Sequence, residues 1–174
     1  MHTRTLGNTG LTVSAIGLGC AQLGSSRTEV AVEIVRRAVE LGVTYFDVAR
    51  IYGDAEIKLG LGLEGKRDSV VISTKTISHT YEDAWQDINE SLRRLRTNYI
   101  DNVHLHRLES IEDIDEHFRP GGSLDALIEA RSCGLIRHIG CTAHRSDMAI
   151  EALRRFDFEI VLIPMNMVER EPLD

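Results

Sequence analysis

Val70-Val71-Ile72-Ser73-Thr74-Lys75 leads to Thr80-Tyr81-Glu82-Asp83, then to Ala84, Ile88, Leu92 and Leu95, and then to Asn102-Val103-His104-Leu105-His106. The first run is short and rich in β-branched residues, which suits a strand. Thr80 with Asp83 three residues on has the pattern of a capping box, and the four apolar residues after it return at helical spacing. The third run reads as a strand again. A strand, a helix and a strand within one span of roughly 30–40 residues make a βαβ unit, whose two strands run parallel.

The same alternation continues in both directions. Upstream, Val43–Asp47 reads as a strand and Glu56–Leu63 as a short helix. Before them, Ala15–Cys20 reads as a short buried strand. Val30, Ile34, Val35, Ala38 and Leu41 then mark a helix ended by Gly42. Downstream, Leu124, Leu127 and Ile128 mark a helix capped by Ser123, and Arg137–Thr142 reads as a strand. Met148, Ala149, Ala152, Leu153 and Phe156 mark another helix, and Ile160–Ile163 is the last strand. At the start, Thr3–Leu6 and Leu11–Ser14 flank Gly7-Asn8-Thr9-Gly10, a hairpin turn. The charges of the helix Tyr81–Arg96 (Glu82, Asp83, Asp87, Glu90, Arg93, Arg94) read as a solvated face.

Strands this apolar need cover on both faces, as in a parallel sheet packed by helices. The expected fold is α/β: a parallel (β/α)8 TIM-type barrel with an N-terminal β-hairpin, incomplete in this chain at about six strands, since eight units take about 250 residues. Residues 1–174 contain no linker and are read as one domain. Glu171-Pro172-Leu173-Asp174 falls where a further helix is expected to start. An open doubly wound sheet would place a phosphate-binding glycine loop after its first strand. Gly17-x-Gly19-x-x-Gln22-x-Gly24 matches that pattern poorly.

Composition excludes several classes. With 43% hydrophobic and 27% charged residues the chain reads as globular, and no apolar run approaches the roughly 18 residues of a membrane span. Met1-His2-Thr3-Arg4-Thr5-Leu6 turns polar too early for a signal peptide, so a cytoplasmic location is expected. A net charge of −7 without a basic stripe argues against nucleic acid as a partner. Cys20, Cys133 and Cys141 have no CxxC spacing, which argues against disulfides and thiolate metal sites.

Four polar residues fall at or just beyond the C-terminal ends of consecutive strands, where a barrel carries its active site: Asp47, Tyr52, Lys75 and His106. Reducing a carbonyl by hydride requires a proton for the developing alkoxide. A tyrosine hydroxyl is a weak acid at neutral pH, and a nearby ammonium is expected to lower its pKa. An aspartate keeps that ammonium charged, and a histidine beside the substrate oxygen orients the carbonyl.

Gly42-Val43-Thr44-Tyr45-Phe46-Asp47-Val48-Ala49-Arg50-Ile51-Tyr52-Gly53-Asp54-Ala55-Glu56 resembles the aldo-keto reductase signature. Val70–Lys75 is similar to that family's strand ending in lysine, and Tyr99–His106 to its Ile-Asp-x-x-x-x-His segment. Arg137–Thr142 resembles its Arg-x-Ile-Gly-x-Ser element, and Pro164-Met165-Asn166 its Pro-Tyr-Asn.

The resemblance implies reduction of a small-molecule aldehyde or ketone, with NADP(H) rather than NAD(H) as cofactor. It implies Tyr52 as acid, Lys75 and Asp47 as its tuning pair, and His106 as the substrate-orienting group. It implies cofactor contacts at Gly19, Cys20, Ala21, Asp47 and Thr142. Ala143 and Leu162 replace amide side chains that family members commonly use on the nicotinamide, Val48 replaces a threonine, and His144 is a candidate stand-in. The family's phosphate contacts follow strands seven and eight, so activity is expected of the parent protein rather than of these residues alone. Open barrel edges are expected to favour self-association.

Other readings compete. His104-x-His106 could ligate a metal, but the tyrosine and lysine would then be idle, so no metal is expected. Lys75 could form a Schiff base, which the nearby Asp47 disfavours by stabilising the ammonium. His144 is either a cofactor contact or a helix cap, and Gly17 and Gly19 are expected to be close-packing glycines. From a different class comes an inactive truncated barrel serving as a binding or regulatory module.

Overall fold

The computed structural model describes residues 1–166; the expected helix start at Glu171–Asp174 lies outside them. The hairpin forms as expected from β1 (Thr3–Thr5) and β2 (Thr12–Ser14), with Thr3 opposite Ser14. Its turn places Gly7 at φ 51°, and the Asn8 N–H donates to the Glu159 carbonyl at 2.8 Å.

A parallel sheet follows, built from β3 (Leu18–Gly19), β4 (Tyr45–Asp47), β5 (Val71–Thr76), β6 (Ile100–Leu105), β7 (Ile136–Thr142) and β8 (Ile160–Leu162). The six strands pair in sequence order, each parallel to the next. A doubly wound sheet reverses strand order at a switch point, and none occurs here. Right-handed crossovers with one order throughout put every helix on the same face, so the sheet curls into six consecutive units of a (β/α)8 barrel.

The helices are α1 (Thr28–Glu40), α2 (Ala55–Gly62), α3 (Tyr81–Leu95), α4 (Ile111–Phe118), α5 (Ser123–Ser132) and α6 (Ser146–Arg155). Thr80 caps α3 by accepting from the Asp83 N–H, and Gly42 closes α1 at φ 87°.

Several expectations need correction. Only Leu18–Gly19 of the segment Ala15–Cys20 pairs as strand, because the Ala15 N–H donates to the His2 carbonyl beside the hairpin. Helix α1 buries Ala31, Val35 and Ala38 and leaves Val30, Ile34 and Leu41 exposed. Its packing face is one position round from the larger residues, since a methyl group at Gly62 of α2 would lie 2.6 Å from Val35. Helix α4, capped by Ser110, was not expected; its eight residues are strongly acidic and bury only Ile114 and His117. Ser123 does not cap α5, whose N-cap is Gly122. Gly17 is close-packed against Tyr45, but Gly19 has open space around it.

The two ends of the sheet carry different chemistry. At the N-terminal end, Asp101 on β6 is buried and accepts from Arg67 Nη2 at 2.7 Å, the Ile72 N–H at 3.0 Å and Arg137 Nη1 at 3.2 Å. The two guanidiniums also lie over the Tyr99 ring, 4.0 and 3.9 Å from its centroid. One carboxylate therefore joins β5, β6 and β7. Removing it strands charged donors, so Asp101→Ala is expected to lower stability by about 3 kcal/mol. Urea unfolding would show a lower midpoint at unchanged slope. A loss below about 1 kcal/mol would mean that the donors find other acceptors.

Candidate active site

Side chains alternate along each strand, so on β5 Ser73 and Lys75 share one face while Ile72, Thr74 and Thr76 share the other. The inner face carries a polar ladder. Tyr45 Oη donates to Ser73 Oγ at 3.0 Å, Asn102 Nδ2 donates to the same oxygen at 3.1 Å, and Asn102 Nδ2 lies 2.6 Å from His104 Nε2. His104 is fully buried, and burial pushes its pKa down to about 3, so it is a neutral interior histidine. Gly140 makes room for it: a methyl group there would lie 2.5 Å from His104 Nδ1.

Above this ladder the four expected residues converge. Lys75 Nζ, 2% exposed, donates to Asp47 Oδ1 at 2.7 Å and to the Val48 carbonyl at 2.7 Å. It lies 5.3 Å from the centroid of the Tyr52 ring, and the Tyr52 and His106 rings meet edge-on at 6.1 Å. Burial lowers the Lys75 pKa and raises that of Asp47, and each partner opposes the other's shift. Burial also pushes the His106 pKa down to about 4, so its imidazole is neutral, and its buried Nδ1 has no hydrogen-bond partner.

One electrostatic expectation is reversed. The Tyr52 pKa is raised rather than lowered, first by burial and then by the charge of Asp47; the opposing cation is Arg107. Asp47 sits against the Lys75 ammonium, so the pair presents little net positive charge to the phenol.

The outer face of β5 is held by carboxylates that the sequence reading did not single out. Thr74 Oγ1 and Ser91 Oγ both donate to Glu56 Oε1 at 2.7 Å, and Arg50 Nη1 donates to Glu56 Oε2 at 3.1 Å. Asp87 accepts from Thr76 Oγ1 at 2.5 Å, Ser78 Oγ at 2.8 Å and Arg50 Nε at 3.3 Å, and so does not belong to a solvated face. Lys75 is thus fixed from behind by hydroxyl–carboxylate bonds on both neighbouring residues.

Tyr52 has its own support. A Cβ at Gly24 would overlap the Tyr52 carbonyl, so only glycine fits there. Buried Lys58 donates to the carbonyls of Leu23, Gly24 and Ser26 at 3.0, 2.8 and 2.8 Å, fixing the loop that Tyr52 rests on. Neither residue carries a sequence signal for this role.

A cavity of about 260 Å³ lies over these groups, lined by Tyr52, Lys75, His106, Arg107, Thr142, Ala143, His144, Leu162, Ile163 and Pro164. Thr142 Oγ1 accepts from the Arg107 N–H at 2.7 Å, which anchors Arg107 at φ 66°. His144 is exposed, with Nδ1 3.7 Å from Glu109 Oε1, and α6 is capped at Arg145 rather than by His144. Asp47 stands behind Lys75 and does not line the cavity. Nor do Gly19, Cys20 and Ala21; the Cys20 side chain is enclosed in the core and only its backbone could meet a ligand. His104 and His106 come together on one inner face. Among the described residues no helix is long and apolar enough to cross a membrane.

Known proteins resemble the chain over nearly all its length. L-Galactose dehydrogenase of Arabidopsis thaliana is 36% identical over 172 residues, covering 89% of this chain and 52% of that protein. A solved aldo-keto reductase of Pseudomonas aeruginosa superposes with TM-score 0.85 at 28% identity, covering 98% of this chain and 70% of that one. An aldo/keto reductase of Klebsiella pneumoniae, solved with NADP and acetate, gives TM-score 0.73 at 28% identity over 86% of this chain and 52% of its own. The chain spans a little over half the length of the curated relatives it matches, 58% and 52% for two of them. The family model for aldo/keto reductases matches residues 15–173. With the parallel barrel units and this match over most of its length, the chain belongs to the aldo/keto reductase family of oxidoreductases.

Proposed function

We propose that the whole barrel, of which these residues form six units, reduces an aldehyde or ketone to an alcohol with NADP(H), and that Tyr52 gives the proton. The observation that carries the reading is the 2.7 Å Lys75–Asp47 pair enclosed beside Tyr52 and a neutral His106 under one cavity. The residues present fit the nicotinamide end of such a cofactor. Ala143 and Leu162 offer an apolar wall, the Thr142 hydroxyl can still donate after accepting from Arg107, and about 260 Å³ suits a flat ring with a small carbonyl beside it. The solved Klebsiella pneumoniae relative with bound NADP supports the phosphorylated form.

The cofactor supplies hydride. The chain's own residues supply the rest. The neutral imidazole of His106 donates one hydrogen bond to the substrate oxygen and orients the carbonyl. Tyr52 Oη, kept protonated by burial and by Asp47, transfers its proton to that oxygen as negative charge develops. Lys75, held by Asp47 and the Val48 carbonyl, then stabilises the phenolate left behind.

Tyr52→Phe in the whole protein is expected to cut the reductive kcat by about 10²–10⁴-fold with NADPH affinity unchanged. Steady-state kinetics with a cofactor titration test this, and near-parental turnover would remove Tyr52 as the acid.

The raised Tyr52 pKa fixes the pH dependence. Reduction needs the protonated phenol, so kcat/KM for reduction is expected to stay flat through neutral pH and fall only above about pH 10, while alcohol oxidation rises over that window. A reductive profile already falling below about pH 8 would assign the acid to another group. Borohydride treatment with carbonyl substrate is expected to leave Lys75 unmodified; a trapped adduct would favour Schiff-base chemistry.

A further inference from the structure

The loop after β5 and helix α4 meet at three side chains outside the active site: His79, Asp113 and His117. We propose that these three bind one divalent transition-metal ion of the zinc type, which ties the loop following Lys75 to the segment following His106.

The donor atoms of all three lie within 4.8 Å of one another. His79 Nε2 is 2.7 Å and His117 Nε2 3.8 Å from Asp113 Oδ1. Around a tetrahedral zinc with bonds of about 2.0–2.1 Å, donor atoms stand roughly 3.3 Å apart, so shifts of about an ångström complete the site. Asp113 and His117 are four residues apart on α4 and share one face of it. The rings of His79 and His117 approach to 4.4 Å with 43° between their planes, which directs two imidazoles at one carboxylate oxygen.

The surroundings fix two of the ligands. His117 Nδ1 lies 2.6 Å from the buried Ser123 Oγ, so a proton on Nδ1 leaves Nε2 as a free lone pair, as in metal-bound histidines whose far nitrogen donates to an oxygen. The Ser123 N–H in turn donates to the His79 carbonyl at 3.0 Å. Asp113 Oδ2 accepts from the Glu109 N–H at 3.2 Å, which holds the carboxylate and leaves Oδ1 for the ion.

Two imidazoles and a carboxylate suit zinc better than magnesium or calcium, which prefer all-oxygen sites. His79 is half-exposed, so the ion is reachable from solvent and a water completes the fourth position. This proposal does not rest on carbonyl reduction.

The test is Zn²⁺ titration by calorimetry of protein first stripped with chelator, with Co²⁺ absorption as a report on geometry. One ion per chain is expected, with a tetrahedral Co²⁺ band in the visible. His79→Gln and Asp113→Asn are each expected to weaken binding roughly tenfold or more and to abolish the Co²⁺ band, with the far-ultraviolet circular dichroism unchanged. These two positions carry the test because replacing buried His117 risks the fold. No saturable binding at submillimolar Zn²⁺ would overturn the proposal and leave a hydrogen-bonded His79–Asp113 pair beside the buried His117. Equal affinity in both variants and the parent would also overturn it, assigning the ion to histidines elsewhere.

Discussion

An ammonium taken out of water costs several kilocalories per mole unless oxygens replace its hydration. Lys75 stands on a strand buried at all six positions, and it meets that requirement with one carboxylate oxygen and one carbonyl. Both acceptors come from β4 and the residue after it, so the β4–β5 register that sets Asp47 opposite Ser73 is also what keeps the lysine charged. A slip of one residue would turn Lys75 toward the helices and leave Asp47 facing an uncharged neighbour. The outer-face bonds of Thr74 to Glu56 and of Thr76 to Asp87 oppose that slip, and Arg50 links the two carboxylates into one network.

The barrel strands divide their polar residues by end. Asp101 and its arginines lie at the N-terminal end and join three strands without touching the cavity. Lys75, His106 and Thr142 lie at the C-terminal end, under the cavity. In a (β/α)8 barrel this is the ordinary separation of stability from chemistry. It explains why the segment Tyr99–His106 contains two polar residues with unrelated tasks five positions apart.

The order of strands and helices was legible because a barrel repeats one strong pattern: short apolar runs, then helical spacing. The convergence of Asp47, Tyr52, Lys75 and His106 was legible for the same reason, since strand ends in consecutive units face one rim. What escaped depends on tertiary contacts. Helix α4 is short and acidic, with two buried side chains and therefore almost no periodicity. The buried face of α1 follows the close approach at Gly62, which no propensity encodes. Lys58 looks like a surface residue until three carbonyls surround it. The sign of the Tyr52 shift was misjudged because a cation's field depends on how near its counter-ion stands. His79, Asp113 and His117 are ordinary singly, and only the packing of α4 against the loop after β5 brings them together.

The contact of Gly24 with the Tyr52 backbone has a mechanical consequence. Lys58 holds the first loop rigidly by three carbonyls, and that loop in turn leaves the Tyr52 segment no room to shift inward. The first two units of the barrel are therefore tied together on the rim, on the side of the cavity that carries Tyr52. The facing wall of the cavity is built separately, from Arg107, His144 and Pro164 on the loops after β6, β7 and β8.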